Sequence, residues 1–103
     1  MFKALVLEQE DGKTIAATQH IETDALPEGD VLVAVEYSSL NYKDALAVTG
    51  AGKIIRDFPF VPGIDLAGNV LESNHADYQP GDNVVLTGWG VGERHWGGYA
   101  ERA

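Results

Sequence analysis

Apolar residues alternate with polar or small residues in several short stretches of the chain, and this period of two is typical of β-strands. The clearest case is residues 31–37, where Val31, Val33, Val35 and Tyr37 share one face. Other stretches of strand character are separated by glycine, proline and polar turn residues. They are residues 3–8, 14–18, 64–73, 83–87 and 99–102.

The period changes in residues 38–50, where the apolar positions fit one short helix. Gly50 is typical of the residue that ends a helix. Between the first two strands, Asp11 and Gly12 favour a tight hairpin turn within residues 9–12. Because strands and helices do not alternate along the chain, the sequence predicts a mainly-β barrel or open roll with one short helix.

Two prolines and two glycines interrupt the apolar residues 58–70. Proline fixes φ and lacks a backbone donor, so residues 58–62 are predicted to be extended but outside a central ladder. Gly68 predicts a bulge or a close backbone approach. Asp65 is the single acid of this stretch, and a carboxylate there must be paired or hydrogen-bonded. It either lies in a cleft or only accepts bonds from backbone amides.

The composition excludes several classes of function. The 103 residues suffice for one domain, and seven basic against 16 acidic residues give a formal charge of -9. This balance argues against a nucleic-acid partner and an anionic membrane surface. The chain has no cysteine, hence no disulfide or thiolate site. Without a long apolar stretch or signal-peptide pattern, we expect a cytoplasmic protein.

The segment Asn41-Tyr42-Lys43-Asp44 lies where strand gives way to helix. Such junctions expose unpaired amides and often carry function. In one interpretation, Asn41, Tyr42 and Lys43 face a bound ligand. In the other, Asn41 caps the helix and Asp44 completes a capping box, which leaves Tyr42 and Lys43 as surface residues.

Two glycine-rich stretches resemble phosphate-binding motifs but are incomplete. Residues 88–92 would need a further glycine where Glu93 stands, and no helix pattern follows. Residues 51–53 lack the first glycine of a P-loop, and Ile54 replaces its magnesium-binding Ser or Thr. The sequence therefore shows no phosphate-binding site.

No metal site is expected from the histidines, because none of them has a partner at short ligand spacing. They are His20, His75 and His95. His95 lies beside Trp96 in the glycine-rich loop and is a candidate pocket residue. Trp96 and Trp89 either line a ligand pocket or cover the open end of a small barrel.

Three runs in the chain, at residues 38–46, 52–56 and 86–93, carry a family resemblance. In the order of its motifs, nearly the whole chain resembles the N-terminal part of medium-chain dehydrogenase/reductases, whose first domain has the GroES-like fold, and the three runs make the match within that family closer. Within that family it is similar to the bacterial acrylyl-CoA reductases, also described as quinone oxidoreductases. The resemblance implies a mainly-β, partly open GroES-like barrel with one short helix.

The same resemblance implies a zinc-free enzyme. In the zinc alcohol dehydrogenases, the positions of Asn41 and Ile64 carry Cys and His ligands. The cysteine-rich zinc loop would fall at residues 88–98, which contain no cysteine. The expected metal content is therefore none.

By this resemblance, the full-length enzyme uses NADPH to reduce the C=C bond of an acrylyl thioester, a small-molecule substrate. Tyr42 is expected to contact the cofactor near the nicotinamide, and Asn41 to shape its site. Lys43, Asp65 and His95 are further candidates for the substrate pocket. The identity of the catalytic acid stays open. Related mitochondrial reductases use a tyrosine beyond the helix that has no counterpart here, so the acid is Tyr42, a water or a group outside this chain.

The Rossmann domain of the family is absent from this sequence. Residues 1–103 are thus expected to be the GroES-like, substrate-side domain of a homodimeric enzyme, inactive alone and without tight NADPH binding. Two alternatives remain: a stand-alone GroES-like binding or scaffold module, and a fragment of a quinone reductase.

Overall fold

The computed structural model describes residues 1–103 and contains five strands and one α-helix. They are β1 (Phe2–Glu10), β2 (Lys13–Ile21), β3 (Val31–Tyr37), α1 (Tyr42–Thr49), β4 (Asp65–Ser73) and β5 (Asn83–Thr87). A 3-10 turn at Thr23–Ala25 follows β2. The prediction of a mainly-β chain with one short helix is confirmed. With eight residues, α1 is too short to span a membrane.

Strands β1 and β2 form an antiparallel hairpin in which Phe2 faces Ile21 and Glu10 faces Lys13. Asp11 and Gly12 form its turn with positive φ angles of 52° and 77°, as a two-residue Asp-Gly turn requires. The predicted end of β2 at residue 18 was too early. Because most of β2 is exposed, its distal half has no apolar alternation and is held by backbone pairing with β1.

Strands β3, β4 and β5 form a second antiparallel sheet in that order. The register of β3 shifts between Leu32 and Val33 and again between Val35 and Tyr37. At this irregular pairing Gly68 of β4 lies against the Ala34 carbonyl, where a Cβ atom would overlap the oxygen. The close approach predicted at Gly68 is confirmed.

Residues 99–103 lie between the two sheets and form backbone hydrogen bonds with a strand of each sheet. The Leu5 N–H donates to the Tyr99 carbonyl at 2.8 Å, and the Val33 N–H donates to the Ala103 carbonyl at 2.8 Å. The strand order around the molecule is thus β2, β1, residues 99–103, β3, β4 and β5. Since β2 and β5 do not pair with each other, the roll stays open.

The core consists of two small apolar clusters on either side of β1. One contains Phe2, Ala4, Val6 and Val61, and the other contains Leu7, Ala47, Ile55 and Phe60. Trp96 is partly buried and packs against both clusters, and it also lines clefts at the surface, so both of its interpretations stay predictions. For Trp89 the covering role is wrong: its side chain is 88% exposed, because a left-handed turn with φ 59° carries it away from the core.

Candidate functional site

The candidate site is a corner at which the end of β3, the start of α1 and the start of β4 meet. The carboxylate of Asp65 connects the three elements. Its Oδ1 accepts hydrogen bonds from the Ser39 N–H at 3.0 Å and the Ser38 Oγ at 3.2 Å. Its Oδ2 accepts from the Ser39 Oγ at 2.5 Å and the Asn41 Nδ2 at 3.3 Å. The two segments singled out from the sequence therefore converge.

Asp44 holds the same corner from inside the protein, and its side chain is 0% exposed. Its Oδ1 accepts from the Ile64 N–H at 3.0 Å, and its Oδ2 accepts from the Asn41 N–H at 3.2 Å. The Asn41 Nδ2 also donates to Oδ2 at 3.2 Å. The predicted capping pair is confirmed, and Asp44 additionally binds the backbone that enters β4.

Tyr99, which is not among the candidates from the sequence, closes the corner from the C-terminal segment. Its hydroxyl donates to the Ser39 carbonyl at 2.9 Å. Burial raises the pKa of Tyr99 well above its usual range, and the nearby carboxylates of Asp44 and Asp65 raise it further. The phenol is consequently a stable hydrogen-bond donor at neutral pH and a poor acid. No local sequence signal distinguishes it from an ordinary strand tyrosine.

The hydrogen bonds to Asp65 also set its protonation. The Ser39 hydroxyl lowers the pKa of Asp65 most, partial burial opposes this, and Asn41, the Ser39 amide and Ser38 lower it further. Asp65 is therefore an ionised anchor at neutral pH. The interpretation in which Asp65 accepts bonds only from backbone amides is wrong, because its donors include three side chains as well as one backbone amide. Its place in a ligand cleft stays a prediction.

We expect the stabilising effect of Asp65 to depend on pH. A carboxyl whose pKa is lower in the folded state than its ordinary value of 3.8 stabilises the fold above that value, and the effect is lost as pH falls through the folded pKa. Chemical denaturation should show Asp65→Asn less stable than the parent at pH 7, with the difference shrinking below about pH 4. Glu28→Gln, at an exposed position, is the control. A difference that stays constant down to pH 2.5 would contradict the anchoring role.

Above this network, the first residue of α1 presents an aromatic side chain to solvent. Tyr42 is the first residue of α1 and is 80% exposed. The Asn41 amide, in contrast, is turned into the network and donates to Ser39, Asp44 and Asp65. Of these two candidate cofactor-binding residues, the geometry suits Tyr42 for contact and Asn41 for holding the corner. Both roles stay predictions.

Lys43 lies beside the corner but its ammonium group is engaged. It forms an ion pair with Glu93 in the glycine-rich loop at 2.9 Å. The hydrogen bond and charge of Lys43 lower the pKa of Glu93, with smaller effects from Arg94 and Arg56. Lys43 thus links α1 to the loop, and its role in a substrate pocket stays a prediction.

His95 lines a different cavity from the corner. This cavity has a volume of about 250 Å³ and is otherwise apolar, with Val33, Leu66 and Trp96 among its walls. None of the corner residues lines it. The structure therefore does not bring His95 together with Asn41 and Asp65, and its role as a pocket residue stays a prediction. No group of three or more metal-ligating side chains is present.

A set of basic residues lies outside the candidates that the sequence indicated. Lys53, Arg56 and Arg94 line one cleft of about 640 Å³, together with Phe60 and Trp96. The available signal was the proximity of Lys53 and Arg56 in a chain with few basic residues. Arg94, however, joins them only through folding.

Comparison with known proteins gives this geometry a family context. The family model of the alcohol dehydrogenase GroES-like domain matches residues 27–103. The chain is 62% identical over 101 residues to the Escherichia coli protein named probable acrylyl-CoA reductase AcuI, which covers 98% of this chain and 31% of the relative. It is 54% identical to the acrylyl-CoA reductase AcuI of Ruegeria pomeroyi, over 100% of this chain and 32% of the relative. The chain spans about a third of the length of these relatives.

Solved structures show the same similarity. The YhdH oxidoreductase from Salmonella enterica in complex with NADP is 64% identical, with a TM-score of 0.96, over 98% of this chain and 31% of the other. The Bacillus subtilis protein YhfP with NAD bound is 39% identical, with a TM-score of 0.94, over 99% of this chain and 31% of the other. The resemblance noted from the sequence and the GroES-like fold are both confirmed. The chain belongs to the alcohol dehydrogenase GroES-like domain family.

Proposed function

We propose that this chain is the substrate-side domain of an NADPH-dependent, zinc-independent reductase that reduces the C=C bond of acrylyl-CoA or a related enoyl thioester. The observation that carries the proposal is the similarity of nearly the whole chain to two acrylyl-CoA reductases, at 62% and 54% identity. The solved relatives with NADP and NADPH bound support the choice of cofactor.

The corner residues fit the nicotinamide end of such a cofactor. Tyr42 offers an exposed aromatic surface, and the carboxylates of Asp44 and Asp65 hold the neighbouring segments in place. A flat ring can stack on or pack against such a side chain. When bound, NADPH would supply the hydride for the reduction. No glycine-rich turn leading into a helix is present for its pyrophosphate, so tight binding requires the rest of a larger enzyme.

The chain's own groups restrict the source of the proton. Asp65 is held ionised and Tyr99 is held protonated by their surroundings. Neither is suited to donate a proton to the reduced substrate near neutral pH. Two candidates near the corner remain, the hydroxyl of Tyr42 and a water molecule. In this proposal Asp65 and Tyr99 hold the corner in place to bind and orient the acceptor, and neither of them is the acid.

We further propose a cytoplasmic homodimer acting on a small molecule, without nucleic-acid or membrane partners. A quinone is the second candidate acceptor, favoured by the 39% identity of the entire chain to a Bacillus subtilis protein named as a quinone oxidoreductase. The stand-alone binding module is the alternative without catalysis.

A chimera tests the proposal directly. Residues 1–103 are joined to the remaining two thirds of the Escherichia coli relative in place of its matching segment. We expect the chimera to oxidise NADPH in the presence of acrylyl-CoA, and residues 1–103 alone to show no turnover, because the cofactor-binding part is then missing. NADPH oxidation is followed spectrophotometrically, with the unmodified relative as control.

Two outcomes would reject the proposal. The first is a chimera that melts cooperatively and binds NADPH but leaves acrylyl-CoA unreduced while reducing a quinone, which would support the quinone alternative. The second is turnover by residues 1–103 alone, which would show that no further domain is needed.

A further inference from the structure

Basic residues are concentrated in one place on a chain that is otherwise acidic. The formal charge is -9, and the chain has only seven lysines and arginines. Three of these, Lys53, Arg56 and Arg94, line the cleft of about 640 Å³. A fourth, Lys43, is bound to Glu93 at the edge of the same cleft. We call this feature, defined by Lys53, Arg56 and Arg94, the basic cleft.

No cation of the basic cleft forms an ion pair within the protein. The ion pair of Lys43 with Glu93 includes none of these cations, and neither does the contact between His75 and Asp77, which is an ion pair only when His75 is protonated. All three cationic side chains are exposed. Asp57 and Glu93 also line the cleft, but Lys43 already pairs with Glu93. The region therefore keeps a local positive surplus, which attracts anions despite the net charge of the chain.

The floor of the basic cleft is apolar and partly aromatic. Ile54, Phe60 and Trp96 lie among the cationic side chains, and Trp96 is only partly buried. Aromatic side chains stack with flat heterocycles, and an arginine guanidinium group can donate hydrogen bonds to two phosphate oxygens at once. A ligand that combines a flat ring with several phosphates, as a nucleotide does, matches this arrangement.

We propose that the basic cleft binds the phosphorylated adenosine end of the CoA thioester substrate. This inference rests on the proposed function and adds where the carrier part of the substrate is recognised. The ion pair of Lys43 and Glu93 connects the basic cleft to the corner, since Lys43 follows Tyr42 in α1 and Glu93 lines the cleft. The flexible pantetheine arm of CoA lies between its nucleotide and its acyl group, so one ligand spans both places.

Titration of the isotope-labelled 103-residue chain with CoA, followed by NMR, tests this inference without catalysis. The indole N–H of Trp96 and the amides of residues 53–56 should shift, while the exposed indole of Trp89 serves as an internal reference. Dephospho-CoA should bind more weakly, and pantetheine should cause no shift at Trp96. Added salt should weaken the binding of CoA, because exposed charges are screened.

Charge-removing variants identify the side chains involved. Arg56→Gln and Arg94→Gln should each raise the Kd for CoA about tenfold, the loss expected for one charge-assisted contact to phosphate. Lys3→Gln is the matched control, because Lys3 is an exposed cation that lines a different cavity. Unchanged amide shifts elsewhere establish that each variant is folded.

The outcomes separate this inference from the proposed function. Equal Kd values for the parent and both arginine variants, or a Trp96 shift with NADPH but not with CoA, would overturn the basic cleft as the CoA site. In that case, turnover of acrylyl-CoA by the chimera would still support the proposed function. Conversely, arginine-dependent CoA binding together with an inactive chimera would support the basic cleft and reject the proposed reduction.

Discussion

Replacing Asp44 with alanine is expected to lower the free energy of unfolding by about 3 kcal/mol, because several partly buried donors lose their acceptor together. The carboxyl group is fully buried and accepts hydrogen bonds from the backbone N–H groups of Ile64 and Asn41. Without it these donors are left unpaired where water cannot easily replace the acceptor. Chemical denaturation followed by fluorescence or circular dichroism measures the loss.

Two companion variants make this measurement specific. Asp44→Asn keeps one acceptor oxygen and should lose less stability than the alanine variant. Asp24→Ala removes a carboxylate from an exposed position and should change the free energy of unfolding by less than about 0.5 kcal/mol. An alanine variant at position 44 that is as stable as the Asp24 variant would show that the corner does not depend on this carboxyl group.

Gly68→Ala is expected to cost about 3 kcal/mol of stability, at the upper end of the range for overpacking, since the obstructing atoms belong to the backbone. A Cβ atom at position 68 would overlap the carbonyl of Ala34 on the neighbouring strand. Strands β3 and β4 would then have to separate at the point where their pairing brings Ser39 to Asp65. Thermal unfolding gives the change in stability, and NMR should show altered amide shifts at Ser38 and Ser39.

Gly29→Ala is the matched control for this substitution. No atom lies within 4 Å of the position that its Cβ would take, and its φ angle is outside the left-handed region. This variant should be as stable as the parent or slightly more stable, because alanine restricts the unfolded chain. If Gly68→Ala were as stable as Gly29→Ala, the close approach of β3 and β4 would not be a constraint on the fold.

Together the substitutions of Asp44 and Gly68 test whether the corner is rigid. Asp44 fixes the beginning of α1 to the backbone before β4, and Gly68 permits the strand pairing that positions Asp65. If both substitutions also abolish the activity of the chimera, a positional shift at Tyr42 is the expected cause. Small displacements of positioning residues can greatly reduce the rate of an enzyme.

The sequence could predict features that depend on neighbouring residues. The alternation in residues 31–37 defined β3, and the Asn41 and Asp44 pair with Gly50 defined the start and end of α1. The Asp-Gly pair located the first turn. The length of strand β2 was underestimated, because its distal residues are exposed and show no apolar alternation. Their strand conformation comes from the partner strand, which a local pattern does not report.

The sequence by itself determined that this protein is a mainly-β chain with one capped helix, since these features depend on contacts between close neighbours. Only the tertiary structure decided which distant groups meet. Asp65 finds its donors 24 to 27 residues away, and Lys43 pairs with Glu93 across 50 residues. The basic cleft likewise exists only because folding brings Arg94 beside Lys53 and Arg56. Such contacts follow from the packing of whole elements, for which no local spacing of residues gives a signal.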